Sequence, residues 1–124
     1  MNFGTHGLNL ALRFALELTA LYAYGRAGLR SADGVAGYVL MLVFPLAAAA
    51  AWGTFAVPGD PSRSGRAPVS VPGAARLGVE LAFFAIASFA LWRTGAKSGA
   101  AALGLVTLVH YGLSLDRLRW LLER

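Results

Sequence analysis

Residues Gly34–Val57 read GVAGYVLMLVFPLAAAAAWGTFAV, 24 positions without a single charged side chain. At 1.5 Å per residue, a helix of this length covers the roughly 30 Å of hydrocarbon in a bilayer. Over the whole chain, 57% of the residues are hydrophobic and only 14% are charged. A soluble domain carries about 25% charged residues. The sequence therefore predicts an all-α integral membrane protein.

Three further apolar segments complete the predicted architecture. They lie at positions 8–29, 75–92 and 99–115, and together with the first run, taken as 34–57, they give four transmembrane helices. Short connections pair these helices into two antiparallel helical hairpins. The hairpins are separated by segment 58–73, a loop whose four prolines cannot continue a helix.

The last ten residues, 115–124, place leucines and a tryptophan between charged residues. This pattern is typical of an amphipathic helix that lies on a membrane surface. No other segment suggests a second folding unit, so residues 1–124 are predicted to form a single membrane domain.

A charged phrase recurs in the first and third predicted helices. Leu12–Leu18 reads LRFALEL and Ala75–Leu81 reads ARLGVEL, and each places an arginine and a glutamate four residues apart on one helix face. Both helices begin on the same side of the membrane, so the two hairpins form a parallel repeat. Each charge inside an apolar run costs about 2.5–3.5 kcal/mol on insertion scales. Matched charges in both halves therefore indicate a shared use.

The predicted topology brings polar residues of three helices to one depth, on the side of the termini. Helices one and three begin at this level, and helix four ends there with polar residues at helical spacing. We therefore predict a buried polar layer that is also a candidate ligand site. Its members are Asn9, Arg13, Glu17, Arg76, Glu80, Thr107, His110, Tyr111 and Ser114.

Two interpretations of this layer stay open. The arginine and glutamate of each phrase can pair as a purely structural clamp, because a paired charge in lipid costs far less than an unpaired one. Alternatively, the same groups line a site for a ligand or an ion. His110 is then either an ordinary buried histidine or a proton carrier beside a glutamate.

Composition excludes several classes of protein. The chain has no cysteine, which excludes disulfides and thiolate metal sites, and two arginines at the level of the polar layer disfavour a bound cation. No cofactor or metal is expected. The net charge of +5 could suggest nucleic acid, but the basic residues stand singly at the ends of apolar runs, as membrane anchors do. Nucleic acid is therefore not an expected partner.

The basic residues also predict the orientation of the chain. Six of them lie on the side of the termini and four on the opposite side. By the positive-inside rule, this bias places both termini of the multi-pass protein in the cytoplasm.

Three motifs resemble a known family. They are Asn9-x3-Arg13-x3-Glu17-Leu18, Trp52-Gly53-x-Phe55-x-x-Pro58 and Ala75-Arg76-x3-Glu80-Leu81. The likeness covers almost the whole chain, and the motifs occur in the same order. They are similar to the YrdB-like family of small bacterial membrane proteins. The resemblance implies four helices in the bacterial inner membrane. Because the family's biochemical role is uncharacterised, the resemblance carries over no catalytic residues. Segment 59–71 looks longer and more basic than in that family, which marks it as a candidate surface for a protein partner.

Three functions are compatible with the sequence. The first is a non-enzymatic accessory or ligand-binding protein, with an anionic membrane lipid or a small acid as its ligand. The alternative is a small proton-coupled transporter that uses Glu17 or Glu80, for which a homo-oligomer would be suitable. The third is a membrane enzyme acting on a lipid or an isoprenoid. Because hydrolase, phosphate-loop and zinc motifs are absent, the enzyme is the least favoured.

Overall fold

Helices dominate the computed structural model, which describes residues 6–62 and 66–124. The predicted partner segment, 59–71, therefore includes three residues, 63–65, that lie outside the described residues. In chain order the elements are α1 (Gly7–Arg30), α2 (Val35–Thr54), β1 (Phe55–Ala56), β2 (Val69–Ser70), α3 (Gly73–Arg93), α4 (Lys97–Leu113) and α5 (Leu115–Leu122).

The largest difference from the predicted helix bounds lies at the end of α2. This helix ends at Thr54, three residues before the predicted end, because Phe55 and Ala56 are extended. They form β1 and pair in parallel with Val69 and Ser70 of β2. The two strands anchor both ends of the long loop beside the start of α3.

Within the described residues, two helices are long and apolar enough to cross a membrane. These are α2, with a mean hydropathy of 2.0, and α3, with 1.7. Helices α4 and α5 meet at an angle of 74° and form a third candidate span if they are taken as one broken helix. Helix α1 is not in this group, because it carries Arg13, Glu17, Arg26 and Arg30 along its length.

The outer surface of the bundle is apolar, and much of its interior is polar. Leu42, Leu46 and Leu108 are among many large apolar side chains that face outward, with exposed fractions of 61%, 68% and 70%. By contrast, Arg76 and Glu80 are almost completely buried. A soluble protein has the opposite distribution, so this surface suits contact with lipid tails.

Helices α1 and α2 pack so closely that a glycine is needed between them. A Cβ atom added to Gly28 would lie 2.1 Å from the carbonyl oxygen of Leu40, a backbone atom that cannot move without shifting α2. Gly37 is the one residue of α2 that is buried. Helix α2 therefore leans on α1, and most of its surface faces outward.

Helix α5 folds back against the start of α3. The Gly73 amide donates to the carbonyl oxygen of Arg124 at 3.3 Å, and a Cβ at Gly73 would collide with the carbonyl of Leu121. Arg117 and Leu121, four residues apart, form the buried face of α5. This amphipathic helix thus turns one face to the protein, where Arg117 reaches the interior.

The contact at Gly28 gives a direct test of the α1–α2 packing. Replacing Gly28 with Ala forces the helices apart, and the free energy of unfolding is expected to fall by about 1–3 kcal/mol, the usual cost of overpacking. Gly78→Ala is the matched control, because a Cβ there meets nothing within 4 Å. Thermal unfolding of the full chain in detergent measures both. Equal stability of the two variants would contradict the packing.

Candidate functional site

The Glu80 carboxylate is the centre of the buried polar groups and accepts hydrogen bonds from four side chains. Its Oε1 accepts from the Tyr111 hydroxyl at 2.7 Å and from Nη1 of Arg117 at 2.8 Å. Its Oε2 lies 2.7 Å from Nε of Arg76, 2.7 Å from Nη2 of Arg117 and 2.9 Å from Nη2 of Arg13. We call these five residues the carboxylate hub. It joins α1, α3, α4 and α5 through one side chain.

Helix α2 joins the hub through its last turn. Nη1 of Arg76 donates to the carbonyl oxygen of Trp52 and, at 2.7 Å, to that of Phe55. These carbonyls lie where α2 ends and need partners from outside the helix. The Trp52 ring also stacks against two guanidinium groups, whose central carbons lie 4.9 Å (Arg13) and 4.6 Å (Arg76) from its centroid. All five helices therefore meet at the hub.

Arg117 links the hub to the long loop. Its Nη2 lies 2.6 Å from Oδ2 of Asp60, and its Nε donates to Oδ1 at 3.2 Å. The amide and hydroxyl of Ser62 also donate to Oδ1, at 2.9 and 2.8 Å. Burial alone would raise the pKa of Asp60, but the hydrogen bonds and charge of Arg117, together with the Ser62 hydrogen bonds, hold that pKa below its usual value.

Charges within and beside the hub balance. Three arginines (Arg13, Arg76 and Arg117) face three carboxylates, those of Glu80, Asp60 and Glu17. Glu17 is the outermost of these groups. Its carboxylate lies 3.5 Å from Nε of Arg13, and its side chain is 23% exposed. The arrangement leaves little free positive charge for a ligand.

A second, uncharged network joins α1 to α4 beside the hub. Asn9 donates through Nδ2 to the Ser114 hydroxyl at 2.8 Å, and Ser114 donates to the His110 carbonyl oxygen at 2.7 Å. The Asn9 carbonyl oxygen, Oδ1, lies 2.9 Å from Nδ1 of His110. Since an amide oxygen can only accept, Nδ1 carries a proton.

Two buried polar atoms of the described side chains have no hydrogen-bond partner: Nε2 of His110 and Oγ1 of Thr107. They lie three residues apart on α4 and therefore on the same helix face. The role of His110 as a proton carrier stays a prediction.

The predicted polar layer divides into these two networks. Arg13, Arg76, Glu80 and Tyr111 lie in the hub, and Asn9, His110 and Ser114 lie in the uncharged network. Glu17 is at the edge of the hub, and Thr107 is buried without a hydrogen bond. The predicted pairs within each repeated phrase exist, but Arg13 approaches Glu80 at 2.9 Å more closely than it approaches Glu17.

Sequence reasoning missed two members of this region, Arg117 and Asp60. Arg117 belongs to the segment that the sequence predicts to lie on the membrane surface, whereas its side chain is 1% exposed. The available signal was its position four residues before Leu121, which puts both on one face of a helix. For Asp60 the signal was that it is the one acidic residue in a basic loop.

Apolar grooves, rather than the hub, open to the outside. One groove of about 580 Å³ lies between α2 and α3, beside α1. Its lining residues include Ala47 and Ala51 of α2, Phe83 and Ile86 of α3, and Tyr24 of α1. Trp52 lies at the hub end of this groove. Among the described residues, no cluster of histidines and carboxylates is suited to a metal ion.

Acid stability tests the link between the loop and α5. Because the pKa of Asp60 is lowered in the folded state, the ionised carboxylate stabilises the fold. This stabilisation is fully present above the pKa of a free aspartate, about 3.9, and is lost as pH falls through the lower pKa of the folded state. From about pH 5 downward, the free energy of unfolding should fall more steeply in the native chain than in Asp60→Asn. Urea unfolding in detergent at several pH values measures both slopes, and parallel curves would contradict the lowered pKa.

Comparison with known proteins agrees with the resemblance seen in the motifs. A family model described as "Protein of unknown function (DUF2568)" matches residues 11–108. The chain is 42% identical over 116 residues to "Uncharacterized protein YrdB" of Bacillus subtilis (strain 168), an alignment that covers 94% of each chain. No solved structure matches. The predicted YrdB-like relationship is therefore confirmed, and the chain belongs to the DUF2568 family.

Proposed function

We propose that the protein is a non-enzymatic, four-span protein of the bacterial inner membrane that binds an anionic lipid as an accessory component. The observation that carries this proposal is the groove of about 580 Å³ between α2 and α3. Its volume lies within the range of ligand sites, roughly 300–1,000 Å³. It opens sideways, where a lipid tail would enter from the bilayer.

The fourth span of this proposal is α1, whose low hydropathy comes from charges that face the protein. Arg13 contacts Glu80, and Arg26 donates to the hydroxyl of Thr94 at 2.8 Å. The outward side chains of α1 include Phe14 and Leu18, which are both exposed. A helix of 24 residues with such a face suits a membrane once its charges are paired. The spans then form two hairpins in parallel repeat, with both termini in the cytoplasm.

An anionic lipid is favoured over a neutral one by the distribution of charge. The hub and the carboxylates beside it neutralise one another, so the net charge of +5 lies outside them. Basic residues near a membrane surface attract anionic head groups. A small soluble acid is less favoured, because the described lining of the groove is almost entirely apolar.

A proton-coupled transporter is the second candidate, and the exposure of Glu17 supports it. Its side chain is 23% exposed and has one weak ionic contact at 3.5 Å. Glu80 is a poor carrier, because protonation would disrupt its six contacts with three guanidinium groups and a hydroxyl. Glu17 is therefore the transporter's candidate carboxylate, and a homo-oligomer would place two of them together.

An enzyme acting on a lipid or isoprenoid is the least favoured candidate. Its acid or base groups would be Glu17, Glu80 and His110. None of these three lines the groove between α2 and α3, whose described wall is apolar. Catalysis needs an acid or base within hydrogen-bond reach of the substrate.

Lipid retention tests the proposal. The full chain is extracted in a mild detergent and titrated with phosphatidylglycerol or with phosphatidylcholine of the same acyl chains, and bound lipid is counted by native mass spectrometry. We expect retained phosphatidylglycerol, and its loss in Ala47→Phe, which fills the groove. Ala49→Phe, an exposed alanine two residues further on, is the control. Absence of lipid, or equal retention in both variants, would contradict the proposal.

A further inference from the structure

The end of the bundle opposite the termini carries a second group of basic residues. Arg26 and Arg30 both donate to the carbonyl oxygen of Thr94, at 2.8 and 2.7 Å. This carbonyl follows the end of α3, where the last groups need partners from outside the helix. These two arginines of α1 therefore hold the end of α3 in place, and each has further N–H groups beyond these bonds.

A pocket of about 660 Å³ lies at this end, between α1 and the end of α3. Arg30, Ser31, Arg93 and Thr94 supply its polar lining, and Phe89 is among its apolar residues. Arg93 lies with its guanidinium carbon 5.9 Å from the Phe89 ring centroid. Neither Arg30 nor Arg93 forms an ion pair with a described residue. The pocket thus presents two guanidinium groups without a carboxylate.

This basic pocket is continuous with the apolar groove between α2 and α3. Ala27, Ile86 and Ala90 line both of them. Along α3, the groove runs from Val79 to Ala90, which is about 16 Å at 1.5 Å per residue. That is roughly half of the 30 Å hydrocarbon core, the depth of one leaflet.

We propose that Arg30 and Arg93 bind the phosphate of an anionic glycerophospholipid whose acyl chain lies in the groove between α2 and α3. This inference rests on the proposed function and adds the position of the head group. The lipid belongs to the leaflet opposite the termini. Guanidinium groups suit this task, since their planar donors match phosphate oxygens in pairs.

The other end of the groove cannot take the head group as readily. Trp52 lies there, and the guanidinium groups stacked on its ring belong to Arg13 and Arg76. Arg13 is committed to Glu80, and Arg76 is committed to Glu80 and two backbone carbonyls. A phosphate at that end would have to displace these contacts. The distribution of charge therefore favours the end of the groove at Arg30 and Arg93 as the position of the head group.

Arg93 is the residue that separates head-group binding from a structural role. It makes no hydrogen bond to a described residue, unlike Arg26 and Arg30, so Arg93→Gln should fold. Lys97→Gln is the matched control, because Lys97 lies on the same side of the bundle, 5.9 Å from the Trp92 ring centroid, and does not line the pocket.

The full chain and both variants are titrated in detergent with phosphatidylglycerol and with phosphatidylcholine, and bound lipid is counted by native mass spectrometry. Arg93→Gln should weaken phosphatidylglycerol binding about fivefold. It should weaken phosphatidylcholine binding less, because the choline cation of that lipid offsets the charge of its phosphate, and Lys97→Gln should match the native chain. Millimolar inorganic phosphate should not displace the lipid.

Each other outcome contradicts a different claim. A native chain that retains no phosphatidylglycerol overturns the proposed function as well as this site. Retention in the native chain with equal affinity in Arg93→Gln and Lys97→Gln overturns the head-group site alone, and displacement by phosphate would mean a site for a soluble anion. If Arg93→Gln unfolds, the native chain still decides: its affinity for phosphatidylglycerol must fall as salt is raised, because partly exposed charges are screened. A constant affinity would overturn the site.

Discussion

The interaction on which the structure depends is the contact of one buried carboxylate, that of Glu80, with three arginines and a tyrosine. Side chains from α1, α4 and α5 reach it, and Arg76 carries its connection on to the end of α2. In an apolar environment, removing one partner of a buried ion pair costs about 3–5 kcal/mol, because it leaves an uncompensated charge. Glu80 therefore constrains the arrangement of every helix.

The pairing of charges in the hub also determines which basic residues are left to bind a ligand. Because the arginines of the hub are paired, the hub serves as a structural clamp and offers little to an anionic ligand. Arg30 and Arg93, which have no carboxylate partner among the described residues, lie at the opposite end of the bundle. The lipid site that we propose runs from those arginines into the apolar groove, and so it uses the surfaces that the clamp leaves free.

The sequence pattern predicted the features that depend on residues close to one another along the chain. The uncharged run at 34–57 predicted α2, and the repeated phrase singled out Arg13, Arg76 and Glu80. Spacing along one helix could not show that Arg13 turns toward Glu80 of another helix, because four-residue spacing reports only partners in the same helix. Arg117 and Asp60 were not predicted for a related reason. They are far apart in the sequence, and the turn of 74° between α4 and α5 brings the tail to the loop.

The most direct test of the central claim is a pair of double-mutant cycles that share Arg13→Gln. One cycle combines it with Glu80→Gln and the other with Glu17→Gln, and the free energy of unfolding is measured by denaturant titration in mixed micelles. The structure predicts a coupling energy of about 1–3 kcal/mol between Arg13 and Glu80, and less than about 0.5 kcal/mol between Arg13 and Glu17. A larger coupling to Glu17 would contradict the account, since Arg13 would then belong to a pair within α1 and Glu80 would not join the helices.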